Sequence, residues 1–121
     1  SFGFAWKGVR HAYRADKSFR MELNYGLPIY VALFFWLRPT GWELGLFVLS
    51  YLLILITELQ NTAFERMLER VHPEEHELIG RSKDISAAAV AVAFLFAAFV
   101  VFLVAWDRYA IGSFSLSAFF V

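Results

Sequence analysis

Glu58, Asn61 and Glu65 place two carboxylates and a carboxamide at the end of the apolar run Leu44 to Thr57. Ionisable groups at bilayer depth are costly, so those that occur there generally serve a function. Spacing of i, i+3 and i+7 puts the three side chains on one helical face. Such a face can bind a metal, move a proton or lock against a partner helix. The two glutamates lie about 10 Å apart along a helix axis, too far for one metal ion to touch both. That separation suits one carboxylate at lipid depth and another at the water edge, on a phosphate-bound metal. Interhelical hydrogen bonding is the plainer reading, but two acids on one face exceed what packing needs.

Three further groups of residues bear on the chemistry. Arg81-Ser82-Lys83-Asp84 opens the third apolar stretch, beside the small residues Ser86 to Ala89. Lys83 there can meet a phosphate or snorkel, and Asp84 can cap the positive end of a helix. His72-Pro73-Glu74-Glu75-His76 spells His-x-x-Glu-His, as in inverted zincins. Pro73 beside the first histidine argues for a loop, so a solvated or nucleotide-contacting segment is favoured over zinc. Trp6, Tyr25, Tyr30, Trp36, Trp42 and Trp106 sit near the ends of apolar stretches, as interfacial anchors do. The chain has no Gly-rich phosphate loop, so any nucleotide site must be built another way.

The elements that must position these groups are read from apolar patterning. Hydrophobic residues make up 60% of the 121-residue chain and aromatics 19%, well above a soluble domain. Net charge is zero, which gives no reason to expect a nucleic-acid partner. There is no cysteine, so disulfides and thiol catalysis are excluded. The first twenty residues are basic and lack the apolar core of a cleavable leader. The expected fold class is an all-α membrane protein with one membrane domain over 1–121. Residues 1–20 read as an amphipathic surface helix, with an apolar stripe from Phe2 to Tyr13 and a basic stripe of Lys7, Arg10, Arg14 and Lys17. Spans are expected at 23–37, at 42–63 continuing as helix to about 70, and at 85–106. Residues 71–82 read as a polar cytoplasmic loop and 107–121 as a tail. Nine of the eleven basic residues fall on one side of these spans, with Arg38 and Arg108 on the other. The positive-inside rule makes that side, and the N-terminus, cytoplasmic.

Several stretches together resemble the small prokaryotic diacylglycerol kinase family, which includes undecaprenol kinase. They are Ala5 to Arg10, Phe19 to Glu22, Glu58 to Glu65, and Glu74 to Leu78 continuing through Gly80 to Asp84. The resemblance implies a homotrimer in the bacterial cytoplasmic (inner) membrane. Each subunit would have three spans and a surface helix. It implies transfer of the γ-phosphoryl of ATP to diacylglycerol, giving phosphatidic acid, with Mg²⁺ as cofactor; undecaprenol is the alternative acceptor. Glu58 matches the proton acceptor, with Asn61 as its catalytic companion. Asp16 and Glu65 match the metal carboxylates, Asp16 standing where a Glu is usual. The nucleotide-contacting positions fall on Phe4, Asp16, Glu65, Glu74, Glu75, His76, Lys83 and Asp84. The lipid-side positions fall on Trp6, Arg10, Phe19, Arg20, Glu22, Trp36, Glu58 and Ala87.

The residues alone admit two other classes. A channel or small oligomeric subunit could line a pore with Glu58 and Asn61, although it would not require Asp16, Lys83 and Asp84 at the same level. A zinc peptidase would use His72 and His76. Phosphoryl transfer accounts for the most residues, because it asks a protein chiefly for positioning and charge stabilisation. A subunit this small has little room to enclose both ATP and a lipid, so the site is expected to be shared between subunits.

Overall fold

The computed structural model describes residues 1–71 and 77–109. Among them every regular element is helical: α1 (Phe2–Ala15), α2 (Lys17–Met21), a π-helical turn (Glu22–Gly26), α3 (Leu27–Leu37), α4 (Trp42–Val71) and α5 (Glu77–Tyr109). The segments 72–76 and 110–121, with His72, Glu74, Glu75, His76 and most of the expected tail, lie outside the described residues.

The surface helix expected over 1–20 is broken at Asp16, whose backbone is extended at φ −114° and ψ 114°. Asp16 caps α2, its Oδ1 accepting the Ser18 backbone N–H at 2.9 Å. Such caps satisfy an N–H that the new helix cannot pair internally. The ended helix is sealed from the other side. Arg20 Nη1 donates to the Tyr13 and Arg14 carbonyls at 3.0 and 3.3 Å, and Arg66 Nη2 to the Ala15 carbonyl at 3.1 Å.

From Lys17 to Leu37 the helix is continuous, so it starts ahead of the apolar stretch 23–37. Apolar patterning marks what lipid or core covers; the backbone ladder continues past it. The ladder widens between α2 and α3, where the Leu27 N–H reaches five residues back to the Glu22 carbonyl. Pro28 is the cause: it has no N–H to return to Asn24, so the regular four-residue pattern cannot close there. At the other end Arg38 turns left-handed, at φ 50°, and stops α3. A non-glycine residue there costs about 1–2 kcal/mol. Arg108 offsets it, donating from Nε to the Leu37 carbonyl at 3.0 Å and from Nη2 to the Arg38 carbonyl at 2.6 Å. The Tyr109 hydroxyl donates to the Trp36 carbonyl at 2.8 Å.

α4 and α5 are long and apolar enough to cross a bilayer, with 33% and 22% of their most apolar stretches buried. A soluble core helix would be covered far more completely; here Leu49, Leu52, Val92, Leu95 and Phe99 face outward. α5 begins at Glu77, ahead of Ile85. Its polar first turns are helical too, supported by an i,i+4 pair in which Arg81 Nη2 meets Glu77 Oε1 at 2.5 Å. The two long helices form the principal packing pair. One cluster joins Leu37, Phe47, Val100 and Val104; the next joins Ile54, Ala93 and Ala97. Alanines at 93 and 97 let the backbones approach closely. α3 is pinned to α4 through Tyr30, whose ring packs tilted against Tyr51 and Phe47, with centroids 4.7 and 5.0 Å away. The Tyr30 hydroxyl donates to Ser50 Oγ at 2.9 Å, because Ser50 spends its own proton on the Phe47 carbonyl at 2.7 Å.

Candidate active site

The site is assembled where the α1–α2 junction and the π turn lie against α4. α4 presents Glu58, Asn61, Thr62 and Glu65 from consecutive turns. Glu58 is buried, at 5% exposure, although its helix is read as entering lipid. Asp16, Glu22 and Glu65 are the charged groups that act on it electrostatically. Four carboxylates from three segments therefore converge on one region, an arrangement without purpose for packing alone.

Asp16 is held at both oxygens. Ser18 occupies Oδ1, and the Thr62 hydroxyl donates to Oδ2. The Thr62 hydroxyl also lies 2.9 Å from the Glu58 carbonyl. It has one proton, and the charged carboxylate is the stronger acceptor. Thr62 is 7% exposed. It thus ties the α1–α2 junction to the turn of α4 that carries Glu58. Asn61 Nδ2 donates to Glu65 Oε1 at 3.4 Å. Its Oδ1 is buried without a hydrogen-bond partner.

A groove of about 570 Å³ runs from this cluster down the bundle. Ser18, Glu22 and Glu58 line its polar end; Ile29, Ile54, Phe94, Ala97 and Val101 line the rest. One acidic end and a long apolar wall fit an amphiphile with a hydroxyl head.

The other expected positions divide. Lys83 Nζ reaches from α5 to Glu69 Oε1 of α4 at 3.9 Å, and Glu69 also pairs with Arg66 at 3.5 Å. Asp84 and Ala87 are exposed on the first turns of α5. Trp6, Arg10 and Phe4 are exposed on α1, and Lys7 Nζ lies 5.7 Å from the centre of the Phe4 ring. Phe19 is buried at 2% exposure and serves the core, while Arg20 closes the end of α1. Trp36 lies in the last turn of α3, stacked on Tyr109 at 5.5 Å, at the end of the bundle that Arg108 clamps. Glu74, Glu75 and His76 are outside the described residues. Sequence reasoning missed Thr62, Ser18 and Gly26. Thr62 stands four residues after Glu58, a spacing that would have placed a hydroxyl beside the acid.

Residues 3–105 match the family model described as prokaryotic diacylglycerol kinase. The chain is similar to a diacylglycerol kinase of Escherichia coli strain K12, 33% identical over 107 residues, covering 88% of this chain and 87% of that one. It is similar to one of Haemophilus influenzae, 36% identical over 90 residues (74% and 75%), and to one of Pseudomonas aeruginosa, 31% identical over 110 residues (91% and 85%). A buried acid at the head of an apolar groove and a match over nearly the whole length lead to one statement: the chain belongs to the prokaryotic diacylglycerol kinase family.

Proposed function

We propose that this lipid kinase transfers the γ-phosphoryl of MgATP to diacylglycerol, giving phosphatidic acid and ADP. The observation that carries the reading is the groove with Glu58 in the wall of its polar end and apolar side chains beyond. The lipid lies with its chains along the apolar wall and its hydroxyl at Glu58. The Glu58 carboxylate takes the hydroxyl proton as the lipid oxygen attacks the γ-phosphorus. The bond from that phosphorus to the ADP oxygen breaks, and ADP leaves with the electron pair. Asn61, through its unpaired Oδ1, orients a donor beside the base.

Asp16 and Glu65 are the residues that would hold Mg²⁺. Their carboxylates are hard oxygen donors, and each retains lone pairs beyond the hydrogen bonds already made. Among the described residues no three acidic or histidine side chains close around one point. Mg²⁺ takes one or two protein carboxylates and draws its remaining ligands from water and phosphate. When bound, the ion neutralises charge on the phosphates. Lys83 adds a cation at the same level, with Phe4, Glu74, Glu75, His76 and Asp84 as further nucleotide contacts.

The reading includes a homotrimer in the bacterial cytoplasmic membrane. Each subunit crosses three times, through residues 23–37, α4 and α5, and its N-terminus is cytoplasmic. α1 lies on the membrane surface with Trp6 and Arg10 among the headgroups. Nine basic residues on one side of the spans support that orientation. The test is transfer of labelled γ-phosphate to diacylglycerol and, in parallel, to undecaprenol, with and without Mg²⁺. Mg²⁺-dependent labelling of diacylglycerol is expected. Labelling of undecaprenol alone would reassign the acceptor and keep the chemistry.

A further inference from the structure

Gly26 ends the π turn, and a Cβ built on it would lie 2.1 Å from Glu22 Oε1 and 2.8 Å from Glu22 Cδ. Contacts that short do not occur, so the Glu22 carboxylate occupies the space that any larger residue at 26 would fill. Both residues line the groove that holds Glu58. The backbone of Glu22 is fixed separately: its carbonyl accepts the Leu27 N–H and the Tyr51 hydroxyl, the latter at 3.1 Å. With its main chain anchored twice, Glu22 can respond to a blocked notch by moving its side chain alone. Glu22 lines the groove, so a displaced carboxylate has the groove beside it. π turns of this kind are frequent at functional sites. Gly26 has φ −64°, an ordinary helical value, so backbone freedom does not explain a glycine here. A glycine in a helix costs roughly 0.5–1 kcal/mol against alanine, which leaves the missing Cβ as its use.

We propose that Gly26 is a positioning residue for the lipid acceptor: its bare Cα forms the notch that keeps the Glu22 carboxylate against the groove wall, so that the acceptor hydroxyl reaches Glu58. This deepens the lipid-kinase reading and rests on it. Filling the notch swings a negative charge into the path of the lipid, next to the base. The nucleotide side of the site, at Asp16, Glu65 and Lys83, is not involved.

The test is the two-residue cycle of wild type, Gly26→Ala, Glu22→Ala and the double variant, assayed in mixed micelles with diacylglycerol. For Gly26→Ala the apparent KM for the lipid is expected to rise about tenfold. The KM for MgATP should not change and thermal stability should be equal or higher, since alanine favours the helix. In the Glu22→Ala background the same substitution should add nothing, because there is no carboxylate to displace. An unchanged lipid KM in Gly26→Ala overturns the inference, and so does an equal rise with Glu22 already removed. Should Gly26→Ala not fold, Glu22→Gln, whose side chain has the same length, is compared with Glu22→Gln/Gly26→Ala; equal lipid KM values there overturn it as well. A wild type that phosphorylates no lipid sinks the functional reading, and this inference with it; an active wild type with a silent Gly26→Ala sinks the inference alone.

Discussion

Glu58 was legible because charge is conspicuous in an apolar run, and Asn61 and Glu65 because helical spacing ties them to it. Asp16 came from resemblance rather than from pattern, and its surroundings could not be read at all. In the structure Asp16 caps α2 and accepts from Thr62, which fixes its side chain at both oxygens. Thr62 and Gly26 were invisible because a hydroxyl or a missing Cβ carries no signal until its neighbours are known. Glu58→Gln keeps shape and removes the proton acceptor. Turnover should fall by at least about a hundredfold, with ATP affinity and assembly retained. Near-wild-type turnover would show that another group takes the proton. Thr62→Val removes one hydrogen bond to a carboxylate and should lower stability by about 1–3 kcal/mol. Freed at one oxygen, Asp16 should hold metal less well. A higher Mg²⁺ concentration for half-maximal rate is therefore expected, with lipid KM unmoved; a Mg²⁺ profile matching wild type would separate Thr62 from the metal site.

Helices were readable from apolar stretches, but their ends and bends were not. Hydropathy located 23–37 and 85–106, whereas the helices begin at Lys17 and Glu77. Polar turns extend a helix without altering what lipid sees. The break at Asp16 and the π turn before Pro28 follow from local hydrogen bonding, which no apolar pattern records. Far from the chemistry, Arg108 holds α3 to α5 through two carbonyls. Arg108→Met keeps the stem and removes the donors. Loss of about 1–3 kcal/mol is expected, read as a lower melting temperature in detergent. Both KM values should stay at wild-type levels, because Leu37 and Arg38 belong to the opposite end from Glu58. A change in lipid KM would mean that the far end is coupled to the groove.

At the scale of the molecule, the composition is explained by outward-facing apolar side chains on α4 and α5. One subunit supplies Asp16, Glu22, Glu58 and Glu65 and an open groove; enclosure of the lipid and nucleotide is left to neighbouring copies in the proposed trimer. The assembly itself was not readable from the pattern, since the same apolar faces can meet lipid or another helix. Removal of divalent cations by EDTA should stop turnover and leave the oligomer intact, with activity restored by Mg²⁺. Dissociation on chelation would instead make the metal structural.

The most direct measurement follows labelled γ-phosphate from ATP in the presence of the purified protein, Mg²⁺ and diacylglycerol. Label in phosphatidic acid, present with wild type and absent with Glu58→Gln, is the expected result. Unlabelled lipid with folded wild-type protein, or equal labelling by both proteins, would contradict a groove built to bring a lipid hydroxyl to Glu58.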